Sequence, residues 1–420
     1  MRRGKGTGAV RRVVVSGIGA VCGLGWGVAP LWEGLRAGRS GFVPVRRFDS
    51  SRHRTHLAAE VSEPPPEAAR AVPSWRRLSI ADRFAVFAAV EAVAGAGLAL
   101  PFAGHPEPPE DVGVYFGSST GGMYESERFF GEFLRDRRRA RLSALVSQQV
   151  NGPGDAVARH LGAAGPVETV SSACASGALA LAVALDAVRS GEVEVAVAGG
   201  ADSLCELTYA GFNALRSVDE GPCRPFRAGR AGMSFGEGAA VLVLEPLERV
   251  LARGAEPLAE LAGAGASCDA YHMTAPDPKG AGAAAALAAA LADSGLPPAA
   301  VDFINAHGTG TPLNDAAEWR ALQRVFGERA GSIPLVATKA LVGHLLGCSG
   351  ALEAVATILC LRHGELHPAP QGEDDPELPV SLVVGEPLPL PAARTAVSTS
   401  LAFGGSNAAL VFSRWTDRAA

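Results

Sequence analysis

Val167-Glu168-Thr169-Val170-Ser171-Ser172-Ala173-Cys174-Ala175-Ser176 (VETVSSACAS) is the stretch on which the fold turns. Val167, Thr169 and Val170 are β-branched or apolar and fit the end of a buried strand. Small residues then allow a tight turn, and Cys174 opens a helix rich in Ala, Leu and Val that runs to Val188. A cysteine at a helix N-terminus meets unpaired backbone N–H groups and the positive end of the dipole, and both favour thiolate. The position equally suits a structural thiol, since free Cys is among the most buried residue types. This stretch alone leaves both readings open.

On either side, strands alternate with helices. Arg12–Gly17 reads as a first buried strand, Ser79–Leu98 as a helix and Val112–Phe116 as a strand. Beyond the cysteine helix come strand Val193–Gly200, helix Leu204–Leu215 and strand Ala239–Leu244. The order then restarts with helix Ala283–Leu291, strand Val301–Asn305, helix Asp315–Phe326, strand Pro334–Thr338 and helix Gly343–Leu361. A final strand pair surrounds Arg394–Phe412. Such alternation predicts a layered α/β protein. Gly17–Gly27 reads as a glycine-rich turn. It lacks the third glycine and the later acidic residue of a dinucleotide site.

A repeat runs through this order. Ser176-Gly177-Ala178-Leu179 recurs as Ser349-Gly350-Ala351-Leu352, 173 residues later. Phe235-Gly236, leading into a strand, recurs as Phe403-Gly404, 168 residues later. Similar offsets in the same order point to two halves of one unit, so that equivalent loops can converge on one site. The expected division is a tail over residues 1–10, a first half over 11–255 and a second over 256–420.

Composition limits the function. The chain has 420 residues, 48% of them hydrophobic and 19% charged, with a net charge of −5, which gives no reason to expect nucleic acid or an anionic membrane as partner. The seven cysteines are odd in number and never form a CxxC pair, so neither a metal site nor a disulfide framework is expected. With no signal-peptide core and no uninterrupted apolar run of about 18 residues, a reducing cytoplasm is the expected compartment. Lys5, Lys279 and Lys339 are the only lysines, so each draws notice. The run Arg135, Arg137, Arg138, Arg139 and Arg141 reads as a solvated helix face.

The second half brings two glycine-flanked histidines at strand ends, His307 in NAHGTGT and His344 in KALVGH. Flanking glycines permit close approach of a substrate. SSACASG, NAHGTGT, KALVGH and AFGGSN, in this order, resemble the β-ketoacyl-acyl-carrier-protein synthases of the elongating Cys-His-His type. The similarity spans roughly residues 11–415 and lies closest to type II polyketide and aryl-polyene ketosynthases. It implies a thiolase fold, two pseudo-twofold related halves in a five-layer αβαβα arrangement, built as a homodimer or as a heterodimer with a chain-length-factor-like homologue.

The resemblance implies a decarboxylative condensation with no cofactor of the enzyme's own, phosphopantetheine being carried by the acyl-carrier protein. Cys174 would be the acylated nucleophile. His307 and His344 would donate to the malonyl thioester carbonyl, supported by Lys339 and Glu353. The backbone N–H groups of Cys174 and Phe403 would form the oxyanion hole, with Phe403 and Gly404 in a gating loop. Thr309 and Thr311 match pantetheine-binding positions, although loop capping would use the same side chains. Asp315 reads as structural. Thr120 and Phe212 would face the acyl pocket, and Arg76, Arg77, Arg138 and Arg139 would receive the acidic carrier protein.

Three positions depart from the family pattern. Ala402 replaces a glycine before Phe403 and is expected to stiffen the gate. Arg227 stands where an acidic residue is usual, which puts a local ion pair in doubt. Gly117-Ser118-Ser119-Thr120 is small and polar where fatty-acid enzymes place a bulky aliphatic, which favours a polar or unsaturated polyketide chain over housekeeping fatty-acid elongation. His344 and the cysteine-free FGGSN argue against initiating synthases and thiolases. The presence of Cys174 argues against a non-catalytic chain-length factor.

Overall fold

The computed structural model describes residues 11–66, 68, 72, 75–102 and 108–416; the expected tail over residues 1–10 lies outside them. Strand β1 (Val13–Cys22) is buried at every residue and absorbs the first part of the glycine-rich segment that reads as a turn. Helix α1 (Ile80–Gly95) gives the reason. A Cβ on Gly17 would lie 2.0 Å from the Ala92 carbonyl oxygen, and one on Gly19 would lie 1.9 Å from that of Ala88. The glycines let a helix rest directly on a strand. Ser79 and Asp82 start that helix with a reciprocal capping box.

The first half continues with β2 (Val112–Gly117), α2 (Gly152–Leu161), β3 (Val167–Val170), α3 (Ser176–Ser190), β4 (Val195–Asp202) and β5 (Gly238–Pro246). The second half repeats that order with β6 (Ala259–Cys268), α4 (Ala281–Ser294), β7 (Phe303–Asn305), α5 (Pro312–Phe326), β8 (Pro334–Val336), α6 (Ser349–His363), β9 (Thr395–Leu401) and β10 (Ser406–Arg414). These ten strands make up most of one 12-stranded hydrogen-bonded sheet, in the order β8-β7-β9-β10-β6-β1-β5-β4-β2-β3. That order has the same pattern from either end, and so do the strand directions. The halves meet where Val14 and Val15 pair with Glu260 and Ala259.

The sheet folds over the two central helices. The main core joins α3 and α6 with the inner faces of both halves, as Leu181, Leu185, Leu352 and Ile358 show. A second cluster packs α1 and α2 on the outer face of the first half, and a third packs α4 and α5 on the second. The layers are therefore αβαβα, as expected. Helices α3 and α6 cross reciprocally. A Cβ on Gly177 would lie 3.0 Å from the Ala351 nitrogen, and one on Gly350 would lie 2.9 Å from that of Ala178. The 255/256 division falls between β5 and β6, and the halves share the central core.

Two local expectations need correction. The helix expected over Gly343–Leu361 starts only at Ser349, because Gly343 and Leu346 have φ of 72° and 53° and cannot continue a helix. The arginine run is not one helix face: the helix Met123–Arg135 ends at Asp136, which is extended at φ −156°, so Arg137, Arg138, Arg139 and Arg141 follow in turn and loop. Ala173–Ser190 is long and apolar enough to cross a membrane by composition, and here it forms the middle-layer helix α3 with its approach.

Candidate active site

Cys174 sits in a strained turn between β3 and α3, with Ala173 at φ 44°. The Ser176 hydroxyl accepts from Ser172 N at 2.8 Å and donates to the Ala173 carbonyl at 2.6 Å, which fixes the turn. Burial here opposes the pull of the helix end toward thiolate. Burial pushes the thiol up to about 11, against the opposing pull of Lys339 and the backbone N–H groups of Phe403 and Cys174. Desolvating a charged sulfur outweighs a dipole whose helix begins two residues later. The thiol thus faces, from its own N–H and that of Phe403, the two donors expected of an oxyanion hole.

Strand β7 delivers His307 and the loop after β8 delivers His344, both buried. Lys339 is buried beside them. Its ammonium donates to the His307 carbonyl at 2.7 Å and to Glu353, and lies 3.1 Å from His307 Nδ1. An ammonium has only donors, so His307 Nδ1 accepts and its proton sits on Nε2. His344 Nδ1 accepts from Leu346 N at 3.0 Å and lies 2.9 Å from the Ser349 hydroxyl, which also places its proton on Nε2. Burial holds both imidazoles well below the ordinary histidine range, helped by the charge of Lys339. Burial raises the Glu353 carboxyl to about 7, with Lys339 opposing.

Cys174, His307 and His344 line one cavity of about 260 Å³, together with Phe212, Thr309, Thr311 and Phe403. The Phe403 ring stacks on Phe212 at 5.2 Å. Gly404 and Gly405 behind it have φ of 82° and 78°. Ala402 is extended at φ −133°, a conformation open to any residue, so the alanine adds no strain to this state of the loop. The Gly404 N–H donates to the Met273 carbonyl at 2.8 Å and Asp269 N donates to the Gly405 carbonyl at 2.8 Å, tying the loop to residues 269–273. Thr309 and Thr311 hydroxyls lie 2.9 Å apart, and Thr311 also caps α5 by accepting from Asn314 N. They cap the loop and face the cavity at once. Asp315 is structural as expected, accepting from Phe226 N at 2.8 Å and Gly310 N at 3.2 Å.

Other expected residues fall elsewhere. Thr120 is not on the cavity wall; its hydroxyl donates to Asp202 at 2.9 Å, and the Ser118 hydroxyl and the Ser119 backbone N–H donate to the same carboxylate. Arg76, Arg77 and Arg139 line a separate surface recess of about 1320 Å³ with Arg83, Arg128, Arg135 and Arg141, while Arg138 is off its wall. Arg227 does form an ion pair, with Asp374, and the nearby Arg230 pairs with Asp375.

Sequence reasoning missed Glu318 and Arg216. Glu318 is buried and accepts from His307 N at 2.8 Å, Gly308 N at 2.9 Å and the Thr399 hydroxyl at 2.6 Å. Its only signal was a helical acid three residues after Asp315. Arg216 is exposed and borders the cavity. Among the described residues no three His, Cys, Asp or Glu side chains group as a metal site.

Comparison with known proteins agrees with this geometry. Residues 10–249 match the β-ketoacyl synthase N-terminal domain and residues 258–373 the C-terminal domain. The chain is 36% identical to 3-oxoacyl-[acyl-carrier-protein] synthase 2 from Synechocystis sp., over 96% of this chain and 98% of that one. The protein of the same name from Staphylococcus aureus is also 36% identical, over 96% and 99%. Among solved structures, the ishigamide ketosynthase/chain length factor superposes with a TM-score of 0.91 at 35% identity, covering 97% of this chain and 100% of that one. A type II polyketide ketosynthase in complex with its acyl-carrier protein gives 0.88 at 28% identity, with coverage of 97% and 100%. With a thiol and two Nε2-protonated imidazoles in one cavity between duplicated halves, the chain belongs to the β-ketoacyl synthase family and is a β-ketoacyl-acyl-carrier-protein synthase.

Proposed function

We propose that the enzyme joins an acyl group held on Cys174 to the malonyl group of an acyl-carrier protein, with loss of CO2, in assembly of a type II polyketide of polyene type. The observation that carries the chemistry is the shared cavity of Cys174, His307 and His344. In the first step Cys174 Sγ attacks the acyl thioester, the N–H groups of Cys174 and Phe403 hold the oxyanion, and the carrier's thiol leaves with the sulfur proton. In the second, His307 and His344 donate from Nε2 to the malonyl thioester oxygen. The bond to the carboxylate breaks, its electron pair forms the enolate, and CO2 departs. The carbanion attacks the acyl carbon, and the Cys174 sulfur leaves and regains a proton. Lys339 and Glu353 hold His307 in its donor tautomer. Thr309 and Thr311 bind the pantetheine arm, Phe403 and Gly404 gate it, and Phe212 borders the acyl chain. The enzyme needs no cofactor of its own in this scheme.

Likeness to the ishigamide and other polyketide ketosynthases supports the polyketide chain. The 36% identity to fatty-acid-type synthases supports the alternative, fatty-acid elongation. Residues 117–120 do not line this cavity. Intact-protein mass spectrometry with candidate acyl-carrier proteins tests the choice. A mass gain from polyenoyl carriers, lost in Cys174→Ala, is expected; loading by saturated long chains alone would sink the polyketide reading.

The carrier protein docks on the arginine recess and a second ketosynthase-fold subunit completes a dimer. In support, β3 is a sheet edge with Val167 41% exposed, and the helix Met123–Arg135 leaves Phe130 and Leu134 in solvent. One solved relative, from Xenorhabdus doucetiae, is a ketosynthase in complex with its chain length factor. All seven cysteines are free, which suits a reducing cytoplasm.

A further inference from the structure

Asp202 ends β4 with its carboxylate buried, and among the described residues no cation pairs with it. Its Oδ1 accepts from the Ser118 hydroxyl at 2.7 Å, Thr120 N at 2.8 Å and the Thr120 hydroxyl at 2.9 Å. Ser119 N reaches both oxygens at 3.0 Å, and Gly347 N donates to Oδ2 at 2.7 Å. Every partner is a neutral donor, so the group serves as a pure acceptor at the junction of three loops. A buried carboxylate without a cation is costly unless such donors surround it.

Two of these contacts lead to reacting groups. The Ser119 hydroxyl donates to the Ala173 carbonyl at 2.9 Å, on the strained residue just before Cys174. Gly347 follows Leu346, whose N–H fixes His344 through Nδ1. A Cβ on Gly347 would lie 2.7 Å from the Ser119 hydroxyl and 2.8 Å from Asp202 Oδ2, so the loops meet as closely as a bare backbone allows. An apolar residue could fill the space at the end of β4. It could not fix the angle between two loops from different halves.

We propose that Asp202 is a positioning residue for the condensation, setting the Cys174 turn, through Ser119, against the His344 loop, through Gly347. The inference rests on the roles given to Cys174 and His344 above. Neither contact touches substrate; both act on the placement of groups that do, where a shift of about 1 Å can cost about a hundredfold in rate.

Two rates test it: acyl loading of Cys174, read by intact mass, and CO2 release from malonyl-carrier protein by enzyme already loaded. Wild type is expected to do both; if it does neither, the condensing reading itself falls and takes this one with it. Asp202→Asn keeps the volume but sets an amide donor against donors. It should slow both steps, CO2 release by about a hundredfold at unchanged KM for malonyl-carrier protein. Ser119→Ala leaves the carboxylate and its Gly347 contact in place. It should slow loading about tenfold and leave CO2 release within about twofold. Asp202→Asn rates within about threefold of wild type, or equal slowing of both steps by Ser119→Ala, would overturn the proposal. Should Asp202→Asn fail to fold, the Ser119→Ala split decides alone.

Discussion

The rings of His307 and His344 stand edge to face, their centroids 5.5 Å apart and their planes at 86°. Two imidazoles this close, buried beside the Lys339 ammonium, cannot both carry charge, and each is held well below the ordinary histidine range. A lowered pKa means that the neutral donor form persists until the pH falls through the lower value. CO2 release from malonyl-carrier protein should therefore stay flat as pH drops from 7.5 through the usual histidine value of about 6.5. A half-maximal rate at or above that value would contradict it.

Lys339→Met removes the donor on His307 Nδ1 and leaves the Glu353 carboxyl buried without its cation. Breaking a buried pair in this way should cost about 3–5 kcal/mol of stability in urea unfolding. Adding Glu353→Gln should restore much of that stability. CO2 release should stay at least about a hundredfold down in both variants, because the tautomer remains unfixed. Recovery of rate along with stability would show the pair to be structural only.

Alkylation of Cys174 by iodoacetamide should follow the buried thiol. With the pKa raised to about 11, the thiolate fraction and the alkylation rate should keep rising past pH 9. A rate that levels off near neutral pH would show that the helix end governs the sulfur instead.

Gly177→Ala and Gly131→Ala are the same substitution with opposite expected signs. A Cβ on Gly177 would press within 2.9–3.1 Å of Gly347 and Ala351, whereas one on Gly131, inside the helix Met123–Arg135, would meet nothing within 4 Å beyond its chain neighbours and its own helix backbone. Overpacking at Gly177 should destabilise by about 1–3 kcal/mol. The Gly131 change should stabilise by about 0.5–1 kcal/mol through lower chain entropy. Calorimetric melting of both variants is the check.

Charge reversal in the recess, Arg76→Glu with Arg77→Glu, should raise KM for the carrier protein about tenfold with kcat unchanged, and the difference should shrink in high salt. Arg138→Glu, off the recess wall, should have a smaller effect. Equal effects at both sites would remove the recess from the docking surface.

The groups legible in the sequence were those whose geometry is set locally. Cys174 lies at a strand–helix turn, His307 and His344 lie among glycines, and the paired Ser-Gly-Ala-Leu segments fixed the duplication. What stayed hidden depends on contacts far along the chain. Thr120 was assigned to a pocket, but its hydroxyl goes to Asp202, 82 residues on. Arg227 put a local ion pair in doubt because its partner Asp374 lies 147 residues away. The balance at the sulfur stayed open for a similar reason: a helix end is visible in a sequence, whereas the burial that opposes it is assembled by both halves. Gly17 and Gly19 read as a turn because the helix that needs them begins some sixty residues later.

The reciprocal crossing of Gly177 on Ala351 and Gly350 on Ala178 gives the duplicated unit two equivalent addresses, one at the start of each central helix. Sulfur occupies the first and imidazole stands just ahead of the second, so an ancestral symmetry has been divided into two chemical specialities. Neither half can then drift alone. Any mutation that widens the crossing moves nucleophile and proton donor apart together, so selection meets the two as a single heritable trait.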